Sequence, residues 1–377
     1  MIRYWSEGSS RHYREYRKLI FLTVLTTILS RPQKNQCPGF SIPRCVALKE
    51  LLLEESPKAR RFRRTRHDVQ VSFFLRLRAQ SDYGMIRGMT GEETPWSNMH
   101  HKEVVRMPWN ARNGEVSIGS TKMAYAAFGH GSRIFVIIPG LSDGLTTVRG
   151  KASLLAKPYS AFFDQFTVYM FSRKDEMPEG YSIRDMAEDQ VNALNKLGIK
   201  EFCLMGVSQG GMIAQYIAIN HPELVHRLVL AVTAPYANEI VQRFVRARIE
   251  EAQRGDHKAI MIGSAESAYS EKKLKSYRRL YPLLGMIGKP KDYVRFLRNA
   301  NAILCFDARE ELKQIRCSTL ILGGEEDKTV GPEGSKELHA AIAGSELIMY
   351  PGLGHAAFEE APDFNARVFE FIKESAQ

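Results

Sequence analysis

Apolar positions along this chain change period several times, and each change marks an element. Glu115 to Ile118 and Lys122 to Phe128 lie on either side of Gly119-Ser120, the pattern of a β-hairpin. Ile134 to Ile138 (IFVII) then reads as a strand that is apolar throughout, followed by a turn at Pro139-Gly140, and Phe166 to Phe171 (FTVYMF) reads as another. Ser182 to Leu197 has helical spacing through Ile183, Met186, Ala187, Val191 and Leu194 and stops at Gly198. Phe202 to Met205 is a further strand, Met212 to Asn220 a helix ended by Pro222, and Leu228 to Val232 a strand. Strands without a polar face, alternating with helices, predict an α/β fold: a mostly parallel sheet with helices on both faces.

From Ala237 to Arg316 the rhythm becomes that of amphipathic helices with no strand among them. The strand pattern then resumes at Thr319 to Leu322 and Glu346 to Tyr350, and a helix from Pro362 carries Phe364, Val368, Phe369, Phe371 and Ile372. The expected organisation is a core of residues 99–236 and 317–377 with a helical lid, 237–316, inserted between two of its strands. No internal repeat is visible. From Arg31 to Glu93 no period is sustained, so residues 1–98 are expected to be a basic, disordered extension. Met85, Met89 and Met99 are alternative starts.

The formal charge of +11 changes little in this picture, because it is unevenly placed. Residues 1–98 hold 18 Lys and Arg against 9 Asp and Glu, whereas residues 99–377 hold 35 against 33. The excess centres on Lys58 to Arg66 (KARRFRRTR), so no specific nucleic-acid partner is expected of the main body. An apolar run of 11 residues, Leu19 to Leu29, is shorter than the about 20 needed to span a bilayer and within the about 7 to 15 of a secretory signal. No transmembrane helix is expected; the location is cytoplasmic, or exported if residues 1–30 act as a signal. The five cysteines, Cys37, Cys45, Cys203, Cys305 and Cys317, are odd in number and irregularly spaced, which argues against a disulfide framework or a zinc site. Cys203 sits in an apolar run and reads as a core residue.

Candidate chemistry begins at Gly206-Val207-Ser208-Gln209-Gly210, a G-x-S-x-G pattern that arises by chance in roughly one chain in ten of this length. Its context gives it weight: Ser208 stands between a buried strand and a helix, a turn tight enough to project the hydroxyl above the sheet next to free helix amides. A serine nucleophile needs a base, and His355 falls in the loop after the last strand, at the sheet edge that carries Ser208. His221 and His226 read as surface residues, and the adjacent His100 and His101 lack the spacing of a helical metal site. The turn after Thr319 to Leu322 offers three acids, Glu325, Glu326 and Asp327, of which the spacing favours Asp327 as the group that orients the histidine.

This ordered set resembles the α/β-hydrolase superfamily from about Gly114 onward: Pro139-Gly140-Leu141, Gly206 to Gly211, Gly324-Glu325-Glu326-Asp327, and Gly354-His355 followed by Glu360-Ala361-Pro362. Where such enzymes often carry His-Gly after the third strand, this chain has Pro139-Gly140. The resemblance implies an oxyanion hole from the backbone amides of Leu141 and Gln209 and no metal or organic cofactor; Asp143, close to the same loop, is expected to cap it or to touch substrate. It implies a serine hydrolase of a carboxylic ester or related small acyl substrate. A non-catalytic ligand-binding homologue, and a carbon–carbon bond hydrolase or perhydrolase on the same scaffold, remain the alternatives. Oligomeric state is open.

Overall fold

A computed structural model of the chain describes residues 108–373. The expected basic extension 1–98, the apolar run 19–29, the Lys58 to Arg66 run, Cys37 and Cys45 lie outside the described residues.

Eight strands form one sheet in the order β1-β2-β4-β3-β5-β6-β7-β8. They are β1 (Arg112–Ile118), β2 (Thr121–Gly129), β3 (Arg133–Ile138), β4 (Phe166–Lys174), β5 (Phe202–Val207), β6 (Val225–Ala231), β7 (Ser318–Gly324) and β8 (Glu346–Tyr350). The hairpin β1–β2 is antiparallel, β2 pairs antiparallel with β4, and every pair from β4 to β8 is parallel. Alternate side chains of the central strands point to opposite faces, so a strand apolar throughout feeds two cores. Val136, Ile138, Leu204, Leu228, Leu230 and Ile321 pack on one side; Phe135, Ile137, Cys203, Met205, Val229 and Leu322 pack on the other.

Both cores are closed by helices. On the first side lie α2 (Ile183–Lys196) and α3 (Gln209–Asn220); on the second lie α1 (Ala152–Ala156) and α11 (Phe364–Lys373), through Ala152, Phe364, Val368 and Ile372. Helix α2 starts where Ser182 Oγ accepts from Asp185 N (3.1 Å) while Ser182 N donates to Asp185 Oδ2 (2.9 Å). Such a cap contributes about 1 kcal/mol.

Between β6 and β7 the described chain forms α4 (Glu239–Gln253), α5 (His257–Ala268), α6 (Glu271–Tyr277), α7 (Tyr281–Leu284) and α8 (Val294–Leu304). Polar caps divide them: Asn238 Oδ1 accepts from Val241 N (2.9 Å), Asp256 Oδ1 from Ala259 N (2.9 Å) and Ser270 Oγ from Lys273 N (3.3 Å). After β7 come α9 (Pro332–Ala341) and, after β8, the short α10 (Ala357–Glu360) before α11. No helix of the described residues is long and apolar enough to cross a membrane.

The structure differs from the sequence reading at a few boundaries. Strand β6 begins at Val225, three residues before Leu228, because Val225 is buried while half-buried His226 and buried Arg227 interrupt the apolar run. Helix α3 begins at Gln209, directly after Ser208 as the G-x-S-x-G context implies and ahead of the apolar spacing that starts at Met212, with Gly210 and Gly211 helical under tight packing.

Candidate active site

One residue, Ser208, makes the whole turn from β5 to α3. Reversing direction in so little chain takes it to φ 55° and ψ −120°, a positive-φ conformation that costs a residue with a Cβ roughly 1–3 kcal/mol. The neighbouring space admits no side chain: a Cβ on Gly206 would stand 2.3 Å from Gly210 O, and one on Gly210 would stand 2.0 Å from Ile138 O. The strain is held by two bonds, Ser208 N to Ala231 O (2.9 Å) and Thr233 Oγ1 to Ser208 O (2.8 Å).

Asp327 and His355 arrive on the loops after β7 and β8. The Asp327 side chain is buried, and its Oδ1 accepts from the amides of Thr329 (2.8 Å) and Val330 (3.0 Å). Its Oδ2 lies 2.8 Å from His355 Nδ1. An ionised carboxylate can only accept, so this contact places the imidazole proton on Nδ1 and leaves the Nε2 lone pair facing Ser208 Oγ at 2.9 Å. The structure thus brings Ser208, His355 and Asp327 into one hydrogen-bonded line. Glu325 and Glu326 are exposed, and their amides donate to Tyr350 O (3.1 Å) and Leu353 O (2.9 Å), fastening the two loops together. His355 stands in a loop but is only 9% exposed, because the next residue, Ala356, donates its N–H to Ala268 O at the end of α5 (2.8 Å). His221 and His226 sit elsewhere, half-buried and paired with Glu188 and Glu201.

Leu141 and Gln209 are each the first residue of a helical turn, so their N–H groups have no acceptor in their own helix. Leu141 opens the 3-10 turn Leu141–Gly144 just after Gly140, whose added Cβ would approach Ser208 Cβ to 3.3 Å. A cavity of about 270 Å³ opens over this point. Ser208, His355, Gly140, Leu141 and Thr329 line it from the sheet loops, and Phe244 and Arg248 of α4, Ile260 and Ala265 of α5, Tyr277 of α6 and Phe296 of α8 from the inserted helices.

Beneath the turn lies a group of buried charges. Asp143 is 3% exposed, and its Oδ2 accepts from Arg173 N (3.0 Å) and from Arg295 Nη2 (2.6 Å), with Arg173 Nη1 at 3.7 Å. Burial pushes the Asp143 carboxyl up, but the Arg295 and Arg173 guanidiniums together with hydrogen bonds from Ser172 and the Arg173 amide outweigh it, holding it below the ordinary value. Arg173 is 1% exposed; burial pushes it down to about 10, with Asp143 acting against that. Its Nη2 also donates to Gln209 Oε1 (2.7 Å), while Gln209 Nε2 donates to Asn299 O on α8 (2.7 Å). Arg173, Arg295 and the Gln209 side chain escape the sequence reading, although an arginine at the end of the apolar run Phe166 to Phe171 was the available signal. Among the described residues no group of three or more His, Cys, Asp or Glu is arranged to hold a metal ion.

Comparison with known proteins agrees with this architecture. The mouse (Mus musculus) serine hydrolase BPHL is 25% identical over 275 residues, covering 69% of this chain and 86% of that protein. Among solved structures, MGS-M2, an alpha/beta hydrolase enzyme from a Medee basin deep-sea metagenome library, superposes with a TM-score of 0.61 at 22% identity, covering 70% of this chain and 98% of its own. The enol-lactonase from Burkholderia xenovorans LB400 gives 0.60 at 19% identity, covering 69% and 100%. At these identities the two structures speak for the fold alone. The family model for the alpha/beta hydrolase fold matches residues 134–362, well over half of the chain, and the chain belongs to that family.

Proposed function

We propose that this protein is a serine hydrolase that cleaves a small carboxylic ester, or a related acyl substrate, through an acyl-enzyme. The observation that carries this reading is the line Ser208 Oγ, His355 Nε2, His355 Nδ1, Asp327 Oδ2, with both contacts below 3 Å. The mouse relative, named a serine hydrolase, supports it.

In the first half-reaction Ser208 Oγ attacks the carbonyl carbon and gives its proton to His355 Nε2. The carbonyl π electrons move onto oxygen, where the amides of Leu141 and Gln209 receive the charge. Asp327 keeps its charge, holds the imidazole in the Nδ1–H tautomer and stabilises the imidazolium. Collapse of the intermediate expels the alkoxide, which takes the proton from His355 Nε2 and leaves Ser208 acylated. Water then repeats the sequence, giving its proton to His355, and the acid departs as Ser208 Oγ is reprotonated. The helices of residues 237–316 act in this reading as a lid that supplies pocket walls. A cavity of about 270 Å³ lies at the low end of the roughly 300–1,000 Å³ usual for ligand sites, which favours short acyl and alcohol groups.

Turnover of p-nitrophenyl esters of increasing acyl length tests the reading. Wild type should hydrolyse the short esters best, and His355→Ala should lower kcat by about 10³-fold or more at a similar KM. A His355→Ala variant that stays folded and retains wild-type kcat overturns the assignment.

A further inference from the structure

We propose that Arg173 and the Gln209 side chain are positioning residues, which fix the spacing between the Leu141 and Gln209 amides through a closed ring of buried and partly buried hydrogen bonds. The inference rests on the serine-hydrolase reading and adds what sets the geometry of its oxyanion hole.

The ring can be followed residue by residue. Gln209 Oε1 accepts from Arg173 Nη2 (2.7 Å), and the Arg173 amide donates to Asp143 Oδ2 (3.0 Å). The same oxygen accepts from Arg295 Nη2 (2.6 Å); Arg295 O accepts from Asn299 Nδ2 (2.8 Å), and Asn299 O accepts from Gln209 Nε2 (2.7 Å). Arg295 also donates to Arg173 O (2.8 Å), Lys174 O (3.2 Å) and Asp143 O. Four separate parts of the chain are joined: the turn Leu141–Gly144, the end of β4, the start of α3 and helix α8.

Two members carry the amides in question. Asp143 belongs to the turn whose first residue is Leu141, and its own N–H closes that turn onto Gly140 O (3.2 Å). Gln209 carries the second amide on its own backbone, and its side chain, 1% exposed, spends both polar atoms inside the ring. Arg173 touches both and so acts as the spacer between them. Burying two guanidiniums against one carboxylate costs desolvation that an apolar plug of the same volume would avoid. Directed bonds do what such a plug does not: they fix direction as well as distance. An oxyanion hole needs that, because misplacement by about 1 Å can lower a rate about 10²-fold.

The test uses the full chain, with Gln209→Met, which keeps the backbone amide and much of the volume but removes both side-chain bonds, and Gln209→Glu, which keeps the acceptor for Arg173. The readouts are kcat and KM on a short ester, the pH profile of kcat/KM, and inhibition by a trifluoromethyl ketone, which forms an oxyanion adduct with serine, and by the product carboxylate. Gln209→Met should lose about 30- to 100-fold in kcat and a similar factor in trifluoromethyl ketone affinity. KM and product affinity should stay within about threefold, and the pH midpoint should not move, because His355 and Asp327 are untouched. Gln209→Glu, which keeps the bond from Arg173 but opens the ring at Asn299 O, should recover only part of the loss. Unchanged kcat and ketone affinity in Gln209→Met overturns the proposal, as does an equal weakening of ketone and product. If Gln209→Met does not fold, Arg295→Lys, which keeps the charge and gives up the fork, is read by the same ratio of ketone to product, and an unchanged ratio overturns the proposal. Fluorophosphonate labelling of wild-type Ser208 separates the two levels. Without a label the serine-hydrolase reading fails and this proposal with it; with a label and an indifferent Gln209→Met, only the positioning role fails.

Discussion

Three acids crowd the turn after β7, and burial and hydrogen bonding separate them. Asp327 is 4% exposed and bonded to two backbone amides and to His355, whereas Glu325 and Glu326 face solvent. Asp327→Asn should therefore lower kcat by about 10⁴-fold with the fold intact, because the amide can donate to Nδ1 and so favours the wrong tautomer. Glu325→Gln and Glu326→Gln should stay within about twofold, since the His355 ring nitrogens bond Asp327 and Ser208 and an exposed carboxylate outside that line holds no proton in place. Steady-state kinetics of the three variants on one ester checks this, and an essential glutamate contradicts it. The amides of Thr329 and Val330 make the Asp327 position rigid, a detail of turn geometry that residue types do not reveal.

Elements were legible where their pattern was local. Strands β3, β5 and β7, apolar on both faces, and helix α2, with Ser182 at its start and Gly198 after its end, follow from period and caps alone. Helices α1 and α9 did not: ASLLA is too short to show a period, and PEGSKELHAA opens with Pro and Gly that read as loop. The site divides in the same way. Ser208, Asp327 and His355 are marked by neighbouring glycines and by their position after strands, while Arg173 meets Asp143 thirty positions away, a pairing only the folded chain displays. In the proposed hydrolase the inserted helices would bear on specificity, because their side chains line the cavity. Phe244 of α4 is half-buried on the cavity wall, so Phe244→Ala should deepen the pocket. The ratio of kcat/KM for a long acyl ester to that for an acetyl ester should rise by about tenfold, as one or two methylenes gain room. An unchanged ratio would mean that the acyl chain lies elsewhere.

Over the whole molecule, the buried charges predict a response to acid. Asp143 titrates below its unfolded value, so its contribution is fully present above about pH 3.9 and is lost as pH falls through the lower folded value. Asp143→Asn should accordingly be less stable than wild type at pH 7, where two guanidiniums lose their counter-charge, and the gap should narrow in the acid range below pH 4. Urea unfolding at pH 7 and in that acid range measures it; a gap that widens in acid contradicts the assignment of the low value to Asp143. The same body places a strained serine, an imidazole and a buried carboxylate at one edge of its sheet, the arrangement proposed to make Ser208 a nucleophile. The most direct measurement is reaction of the full chain with a fluorophosphonate, followed by peptide mass spectrometry. A single phosphonylated site is expected at Ser208, absent in Ser208→Ala and slowed by about 10³-fold or more in His355→Ala. Labelling at another serine, or labelling that persists in Ser208→Ala, would contradict it.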